Sequence, residues 1–459
     1  MKGSVLVVVL ILVTVSLIIP LYFEGFVALG ENQLKRFSSY EQLRNFVRES
    51  AYNARGGSLD VFTLSPLKSN AESSTILSPD YSKTNIQVEG VDEADIVKTD
   101  GEYIYVVSGR NVTILKAYPP EEAEIISQIT LDVAGTIKGI FVNGNKMVIF
   151  ESVYDPQIYY ATLEAPVKSY SYYGAYDKTL IRVYDISDRA SPSLARNVTL
   201  DGYYFDSRMI GDYVYAVINE YVYANETWVS LPKIYSNGEV EEIDAREIYY
   251  TPAPVSDYFS VYASVVAVNV QNDAQEPTRK TILLGTTSNI FVSMNNIYIT
   301  FQAYGGEIRT SSPVQVLRVD EWGTTISRVH IENGEIEVGP SGHVPGNVLN
   351  QFSMDEYNGY FRIATTTWNW EGNLNHVYVL NMNLEIVGRL ENIAPRENIH
   401  SARFMGNRCY LVTFKKIDPL FVIDLSTPSD PVILGKLEIP GYSDYLHPYD
   451  ENHIIGVGK

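Results

Sequence analysis

The densest group of side chains that could do chemistry is a run of acidic residues ahead of a strand-forming segment. The run consists of Glu89, Asp92, Glu93, Asp95 and Asp100. Because a hard cation takes several carboxylate oxygens held close together, Asp92, Glu93 and Asp95 are candidate ligands for Ca²⁺. Their spacing does not match an EF-hand loop, so a solvent-exposed turn that leads into the strand is the alternative interpretation.

The sequence contains no recognisable catalytic motif. Its six histidines form neither a His-x-His pair nor a His-Glu-x-x-His motif, which argues against a zinc site. Ser341 and His343 lie in the segment Gly-Pro-Ser-Gly-His, but this segment lacks the Gly-x-Ser-x-Gly elbow. Its glycines and proline indicate a turn in a loop, and no catalytic residue is assigned.

Aromatic residues offer a candidate binding surface. Two tyrosine-rich stretches, 154–176 and 221–258, are expected to be insertions between strands, and tryptophans follow later in the chain. Such side chains provide a large contact area at low entropic cost, which suits a surface that binds a sugar or a protein. The candidate ligand-binding residues are Tyr159, Tyr160, Tyr172, Tyr173, Trp368 and Trp370. The alternative is that these rings cover exposed strand edges.

Composition narrows the class of protein. Of the 459 residues, 45% are apolar and 20% are charged, as in a folded protein, and the net charge is −20. This charge would repel phosphate backbones, so nucleic acid is not expected as a partner. Cys409 is the single cysteine, so the chain has no internal disulfide. Thirty-five tyrosines against 16 phenylalanines favour half-buried strands and an all-β fold.

A repeated unit predicts the architecture. A turn of Gly, Asn or Asp precedes a short strand seven times, at Tyr103–Val107, Met147–Phe150, Tyr213–Val217, Ile297–Phe301, Tyr360–Ala364, Cys409–Phe414 and Ile454–Val457. Further strands follow most of these, and a spacing of roughly 45 residues is typical of four-stranded propeller blades. The sequence therefore predicts a β-propeller with about six to seven visible blades. A β-sandwich is the alternative, but it would not need seven similar units.

An internal match supports the repeat. Residues 183–202 align without a gap with residues 422–441, and both contain an Asp-x-Ser turn followed by a proline. Two strands joined by such a turn cannot bury both faces, whereas radial stacking buries them. Six units are complete and a seventh is only begun, so we expect a fragment whose ring further strands complete. A partner that supplies those strands is the alternative.

The N-terminal residues predict export. Residues 5–23 carry no charge, and about 20 apolar residues can span a bilayer. We expect residues 1–30 to be a retained signal anchor with the body outside the cytoplasm, or a cleaved signal that releases a secreted protein. An amphipathic helix over 31–58 and a linker over 59–83 are predicted before a propeller domain over 84–459. Sequons at Asn111, Asn197 and Asn225 are candidate glycosylation sites.

Two segments resemble a known family. They are Val-Glu-Gly-Val-Asp-Glu-Ala-Asp, which starts at Val88, and Ile-Ala-Pro-Arg-Glu-Asn-Ile-His-Ser-Ala-Arg-Phe, which starts at Ile393. Both resemble the secreted proteins with a C-terminal β-propeller domain, which are found in archaea and some bacteria and are distantly related to WD-repeat propellers. The resemblance runs from about Thr84 to the end and implies an exported propeller. It implies no catalytic residue.

Two functions from different classes follow. The first is a non-catalytic module that binds a protein or glycan at the cell surface and contacts the membrane through its N-terminal segment. The second is an extracytoplasmic hydrolase or metal-dependent enzyme with its site at the propeller's central channel. Carboxylates or histidines that converge at the channel would favour the enzyme, whereas aromatic patches on an outer face would favour the binding module.

Overall fold

The computed structural model describes residues 33–54, 86–131, 135–154, 177–225, 227–251, 261–303, 306–309, 316–319, 322–369, 372–414, 418–439, 441, 443–450 and 453–458. The predicted signal anchor, the predicted linker and the candidates Tyr159, Tyr160, Tyr172, Tyr173 and Trp370 lie outside these residues. Within them, no helix is long and apolar enough to cross a bilayer.

Six blades, each four antiparallel strands wide, form a propeller, and additional strands extend some of the sheets. Blade 1 contains β3 (Val97–Thr99), β4 (Tyr103–Ser108), β5 (Asn111–Lys116) and β6 (Glu124–Thr130). Blade 2 contains β7 (Gly135–Asn143), β8 (Lys146–Tyr154), β9 (Asp177–Asp185) and β10 (Ser193–Asp201). Blade 3 contains β11 (Tyr203–Ile210), β12 (Tyr213–Tyr221), β16 (Val261–Asn269) and β17 (Thr278–Leu284).

The remaining blades follow in chain order. Blade 4 contains β18 (Thr287–Val292), β19 (Asn296–Ala303), β22 (Gly323–Glu332) and β23 (Glu335–Pro345), with a hairpin of β20 (Gly306–Arg309) and β21 (Val316–Val319) inserted. Blade 5 contains β24 (Asn347–Val348) and β25 (Met354–Tyr357), both paired with β26 (Tyr360–Asn369), then β27 (Gly372–Leu380) and β28 (Ile386–Ile393). Blade 6 contains β29 (Asn398–Met405), β30 (Arg408–Phe414), β31 (Asp418–Asp424) and β32 (Val432–Ile439). A hairpin of β33 (Ser443–Asp450) and β34 (His453–Gly458) follows.

The predicted repeat is confirmed strand by strand. Each of the seven predicted strands lies within the second strand of a blade, or within β34 of the last hairpin. The two matched segments are the third and fourth strands of blades 2 and 6, and their turns are closed in the same way. Asp185 accepts a hydrogen bond from the Ser187 amide at 2.9 Å, and Asp424 accepts one from the Ser426 amide at 2.9 Å. An aspartate that binds the backbone two residues ahead sets the turn locally, which is why the sequence pattern reveals it.

Apolar side chains of neighbouring blades interlock to form the core. Tyr298 of blade 4 stacks on Phe361 of blade 5 with ring centroids 4.1 Å apart. Phe150 of blade 2 packs with Val214 of blade 3, and both side chains are fully buried. Cys409 lies in the core between blades 5 and 6, where burial raises the pKa of its thiol to about 12. The radial stacking therefore buries the faces that no single blade could bury.

The turns divide the propeller into two faces. Turns between the first and second strands share one face with the short turns between the third and fourth strands, which we call the tight-turn face. Its turns contact one another, since Asn143 Nδ2 donates to the Gly211 carbonyl at 2.9 Å. Turns between second and third strands form the opposite face, the insertion face. Residues 155–176 and 222–260 join such strand pairs in blades 2 and 3, as predicted.

The segment between β12 and β16 fastens blade 2 to blade 3, and we call its residues 227–251 the clasp. Its strand β13 (Lys233–Ser236) pairs with β10 of blade 2 and with β14 (Glu239–Glu242). Its strand β15 (Ile248–Tyr250) returns to blade 3 and pairs in parallel with β17. One insertion thus adds strands to the outer edges of two adjacent blades. Single turns of 3₁₀ helix are formed by Pro120–Glu122, Ala245–Glu247 and Gln351–Ser353.

Helix α1 (Tyr40–Ala54) packs on the clasp. The helix predicted over 31–58 begins only at Tyr40, because β1 (Lys35–Arg36) pairs with β15 before it. Ser39 caps the helix by accepting a hydrogen bond from the Gln42 amide at 3.2 Å. Leu43 is fully buried, and the Tyr40 hydroxyl donates to the Val229 carbonyl at 2.8 Å. The helix is therefore docked on the outer edge of blade 3.

Candidate functional site

A segment of residues 86–95, which we call the strap, lies against the first strands of several blades. Its strand β2 (Asp92–Glu93) pairs with β11 of blade 3. Asp95 forms a bridge with Ile140 of β7 in blade 2. Gln87 Nε2 donates to the Met354 carbonyl of blade 5 at 3.2 Å. Because first strands are the innermost strands of a propeller, the strap occupies its centre.

Three cations occupy equivalent places on first strands beside the strap. Lys98, Arg208 and Arg403 each stand three residues before the glycine of the first turn, in blades 1, 3 and 6. All three side chains are at least nine-tenths buried. A buried cation needs hydrogen-bond acceptors or an opposite charge, so the partners of these three residues define the chemistry of the centre.

The strap supplies carboxylates to two of these cations. Lys98 Nζ donates to Asp92 Oδ1 at 2.7 Å and to the Glu93 carbonyl at 2.6 Å. Arg208 Nη1 donates to Asp206 at 2.7 Å, and its Nε lies 3.8 Å from Glu93 Oε1. Burial alone would lower the pKa of Arg208, but Asp206 and Glu93 outweigh it and raise that pKa. The strap carboxylates therefore act as internal counter-ions.

Arg403 lacks such a partner. Its residue is 6% exposed, and its Nη1 atom has no hydrogen-bond partner among the described residues. Its guanidinium carbon lies 5.2 Å from the centre of the Phe352 ring, which in turn packs edge-on against Tyr445 at 5.5 Å. Desolvation lowers the pKa of Arg403, and the negative groups around it offset only part of that effect.

The three candidate Ca²⁺ ligands are placed near one another but are engaged separately. Asp92 and Glu93 face Lys98 and Arg208, as described above. Asp95 Oδ1 accepts a hydrogen bond from the Ile96 amide at 2.7 Å. In the part of the chain that the structure describes, no group of three or more His, Cys, Asp or Glu side chains is placed to hold a metal ion.

A second polar group lies between blades 2 and 3 beside the clasp. Glu220 of β12 is mostly buried, and its Oε2 atom has no hydrogen-bond partner within the described ranges. Burial and the nearby carboxylate of Asp201 raise the pKa of Glu220 to about 8, although Arg279 and Lys233 act in the opposite direction. Burial also raises the pKa of Asp201, against the effect of Lys178. Two interacting carboxylates are thus held in a poorly solvated space.

Exposed tryptophans mark the insertion face. Trp322 precedes β22, and Trp368 is next to the last residue of β26. Trp322 is therefore at the start of a third strand and Trp368 at the end of a second strand, which places both on the insertion face. Trp228 lies instead in the clasp, between Thr227 and Val229, which both contact α1. The exposed fractions are 49% for Trp228, 62% for Trp322 and 81% for Trp368. Blades 4 and 5 are consecutive, so Trp322 and Trp368 lie on neighbouring blades of this face.

A cleft on the tight-turn face lies between blades 1 and 2. Its volume is about 580 Å³, and it is lined in part by Tyr103, Asp188 and Arg189. Arg189 donates to Asn145 Oδ1 at 2.8 Å, to Asp100 Oδ2 at 3.2 Å and to backbone carbonyls. Its guanidinium is therefore occupied by neighbouring residues of the two blades.

The other residues noted in the sequence have local roles. The sequence predicted a loop at Ser341, but the residue lies in β23. Its Oγ donates a hydrogen bond to the Ile326 carbonyl at 3.0 Å. The pairing of β22 with β23 shifts register between Ser327 and Val329, next to this segment. Asn197 is exposed on β10, whereas Asn111 begins β5 and is partly buried. Asn225 Oδ1 accepts a hydrogen bond from the Thr227 amide at 2.8 Å.

The central cations are absent from the sequence-based candidates, although the repeat carries a signal for them. A basic residue three positions before a turn glycine occurs in Lys98-Thr-Asp-Gly, Arg208-Met-Ile-Gly and Arg403-Phe-Met-Gly. Recurrence of one residue type at one place in a repeat indicates a shared environment. This spacing alone is therefore enough to predict that the three side chains occupy equivalent positions in their blades.

Comparisons with solved structures give distant similarity. A hypothetical selenium-binding protein from Sulfolobus tokodaii is 11% identical with a TM-score of 0.33, and the match covers 78% of this chain and 76% of that one. Drosophila plexin A, solved in complex with semaphorin 1b, is 8% identical with a TM-score of 0.33, over 80% and 83% of the two chains. Similarity at this level carries no functional argument.

Sequence comparisons give the family. An uncharacterised protein of Methanocaldococcus jannaschii is 29% identical over 92% of this chain and 73% of its own length. An uncharacterised protein of Archaeoglobus fulgidus is 28% identical over 93% of this chain and 77% of its own length. The family model described as a β-propeller domain matches residues 81–459. The chain, with its six complete blades and its strap, belongs to this β-propeller domain family.

Proposed function

We propose that the protein is a non-catalytic binding module of the cell surface whose insertion face recognises a glycan or a protein. The observation that carries this proposal is the exposure of Trp322 and Trp368 on the insertion face of two neighbouring blades. Indole rings stack on sugar rings and also act as anchors in protein interfaces, where they contribute much of the binding energy. Exposed aromatic area on a single face is the feature expected of a binding module.

The central channel offers less support for an enzyme. Asp92 and Glu93 face Lys98 and Arg208, so these carboxylates serve as counter-ions. Histidines do not join them within the described residues. An enzyme at the channel would need acids or histidines that converge there. The described residues give no support for such a convergence.

The proposed location is outside the cytoplasm. The uncharged residues 5–23 support a membrane tether, or a secreted form if the segment is cleaved, and the sequons at Asn111, Asn197 and Asn225 fit an exported body. Treatment of intact cells with a protease should degrade the propeller. A propeller that stays intact until the cells are lysed would contradict this location.

The binding proposal is tested on the insertion face. Cell-surface glycans and cell-surface proteins are immobilised on separate sensor surfaces, and binding of the purified protein is measured on each. Replacing Trp322 and Trp368 together by alanine should weaken binding to one surface by at least about tenfold, because aromatic anchors carry much of an interface's energy. The matched control replaces Tyr118 and Tyr449 by alanine, since they are exposed aromatics on the tight-turn face. Equal loss in both variants, or none in the first, would refute the proposal.

A further inference from the structure

The three equivalent cations at the centre are treated unequally by the strap. Asp92 lies 2.7 Å from Lys98, and Glu93 lies 3.8 Å from Arg208. Arg403 occupies the same place on blade 6, and its Nη1 atom lacks a hydrogen-bond acceptor among the residues described. Two of three repeated positions thus hold a carboxylate from the chain itself, and the third holds none.

The Nη1 donor of Arg403, which has no acceptor among the described residues, lowers the stability of the folded protein. A buried polar group without a partner loses its hydration and gains no hydrogen bond in return. Few native proteins keep such groups unless a ligand, an ion or water satisfies them. With 6% of the residue exposed, Arg403 has little contact with bulk solvent. The position is therefore suited to a ligand rather than to a structural role alone.

The surroundings of Arg403 favour a particular chemistry. The guanidinium carbon lies 5.2 Å from the centre of the Phe352 ring, and the Nη1 donor has no acceptor among the described residues. A carboxylate matches a guanidinium because its two oxygens can accept two parallel hydrogen bonds from it. Asp355 and Glu93 add negative charge nearby. A singly charged carboxylate is therefore favoured over a phosphate dianion.

We propose that Arg403 binds the carboxylate of a ligand at the inner end of the interface between blade 6 and the β33–β34 hairpin. The ligand takes the place that Asp92 takes at Lys98 and that Glu93 takes at Arg208. Tyr445 of β33 stands beside the site through its contact with Phe352. The carboxylate comes either from a small organic acid or from an acidic segment of a protein.

The test is a titration of the full chain with sodium acetate, in which binding is measured from the NMR relaxation of the acetate methyl signal. Sodium chloride at equal ionic strength is the reference titration. Saturable acetate binding is expected. Arg403→Lys should weaken it by about tenfold, because lysine keeps the charge but loses the planar fork, and Arg403→Met should abolish it. Arg408→Lys on the same blade is the matched control, since Arg408 is exposed. Near-ultraviolet circular dichroism verifies the fold of each variant.

A second titration uses an acetylated, amidated tetrapeptide Asp-Glu-Ala-Asp, which copies residues 92–95 of the strap. Tighter binding of the peptide than of acetate indicates an acidic protein segment, whereas equal or weaker binding indicates a small organic acid. The inference is overturned if the parent chain shows no saturable acetate binding, or if Arg403→Lys binds acetate as tightly as the parent. Inorganic phosphate that binds more tightly than acetate would also overturn it. These readings are independent of the tryptophans on the insertion face.

Discussion

Replacing Glu220 by glutamine is expected to change how the stability of the protein depends on pH. In an unfolded chain Glu220 titrates near the ordinary value of 4.5, whereas burial and Asp201 raise its pKa to about 8 in the folded protein. Between these values the folded state keeps a proton that the unfolded state has lost. The free energy of unfolding that Glu220 contributes is therefore complete below pH 4.5 and is lost as the pH rises through about 8.

The size of the effect follows from the shift. One pKa unit corresponds to about 1.4 kcal/mol, so the shift sets an upper bound of roughly 5 kcal/mol for the stability lost between the two pKa values. Glu220 keeps some contact with solvent, which reduces the cost of the charged form below that of full burial. We therefore expect a difference of about 2 to 3 kcal/mol. Glutamine stays neutral, so Glu220→Gln should gain this amount relative to the parent between pH 5 and pH 8.

Urea unfolding at pH 5, 6, 7 and 8 and constant ionic strength measures this gain. The comparison of variant with parent removes the contribution of groups that titrate in both proteins, such as His343 and His376, whose pKa values burial lowers. Glu239→Gln is the matched control, because Glu239 is exposed on β14 of the same clasp. The reasoning is refuted if the difference between Glu220→Gln and the parent is the same at pH 5 and at pH 8.

Two further substitutions test the docking of α1 and the centre of the propeller by urea unfolding. Leu43→Ala should lower the free energy of unfolding by about 2 to 4 kcal/mol, because Leu43 is fully buried against the clasp. Glu41→Ala on the exposed side should change it little, and an equal effect of both would contradict the docking. Arg208→Met should cost about 3 kcal/mol, because it leaves the partly buried carboxylates of Asp206 and Glu93 without this counter-ion. Arg246→Met breaks an exposed pair and should cost less than about 1 kcal/mol, so equal costs would show that the strap pairs are not significant.

The sequence alone determined the blades because their signals are local. A turn residue such as Gly211 adopts a positive φ of 56° that most other residues avoid, and the strands beside it alternate or continue in apolar residues. Asp185 and Asp424 close their turns with a neighbour two residues away. These interactions span a few residues, so the pattern in the sequence carries them fully.

Only the tertiary structure decided which distant residues share an environment. Glu93 meets Arg208, β13 joins the outer strand of the neighbouring blade, and Asp201 approaches Glu220 because the blades close around an axis. The acidic run in the sequence suggested a Ca²⁺ site, but it could not show that Asp92 already faces Lys98. The free energy of a buried charge depends on its partners in space and on the exclusion of water. Spacing along the chain sets neither the partners of a charge nor its access to water. Only the assembled ring therefore shows that Arg208 is paired with a carboxylate, whereas the Nη1 atom of Arg403 has no hydrogen-bond partner among the described residues.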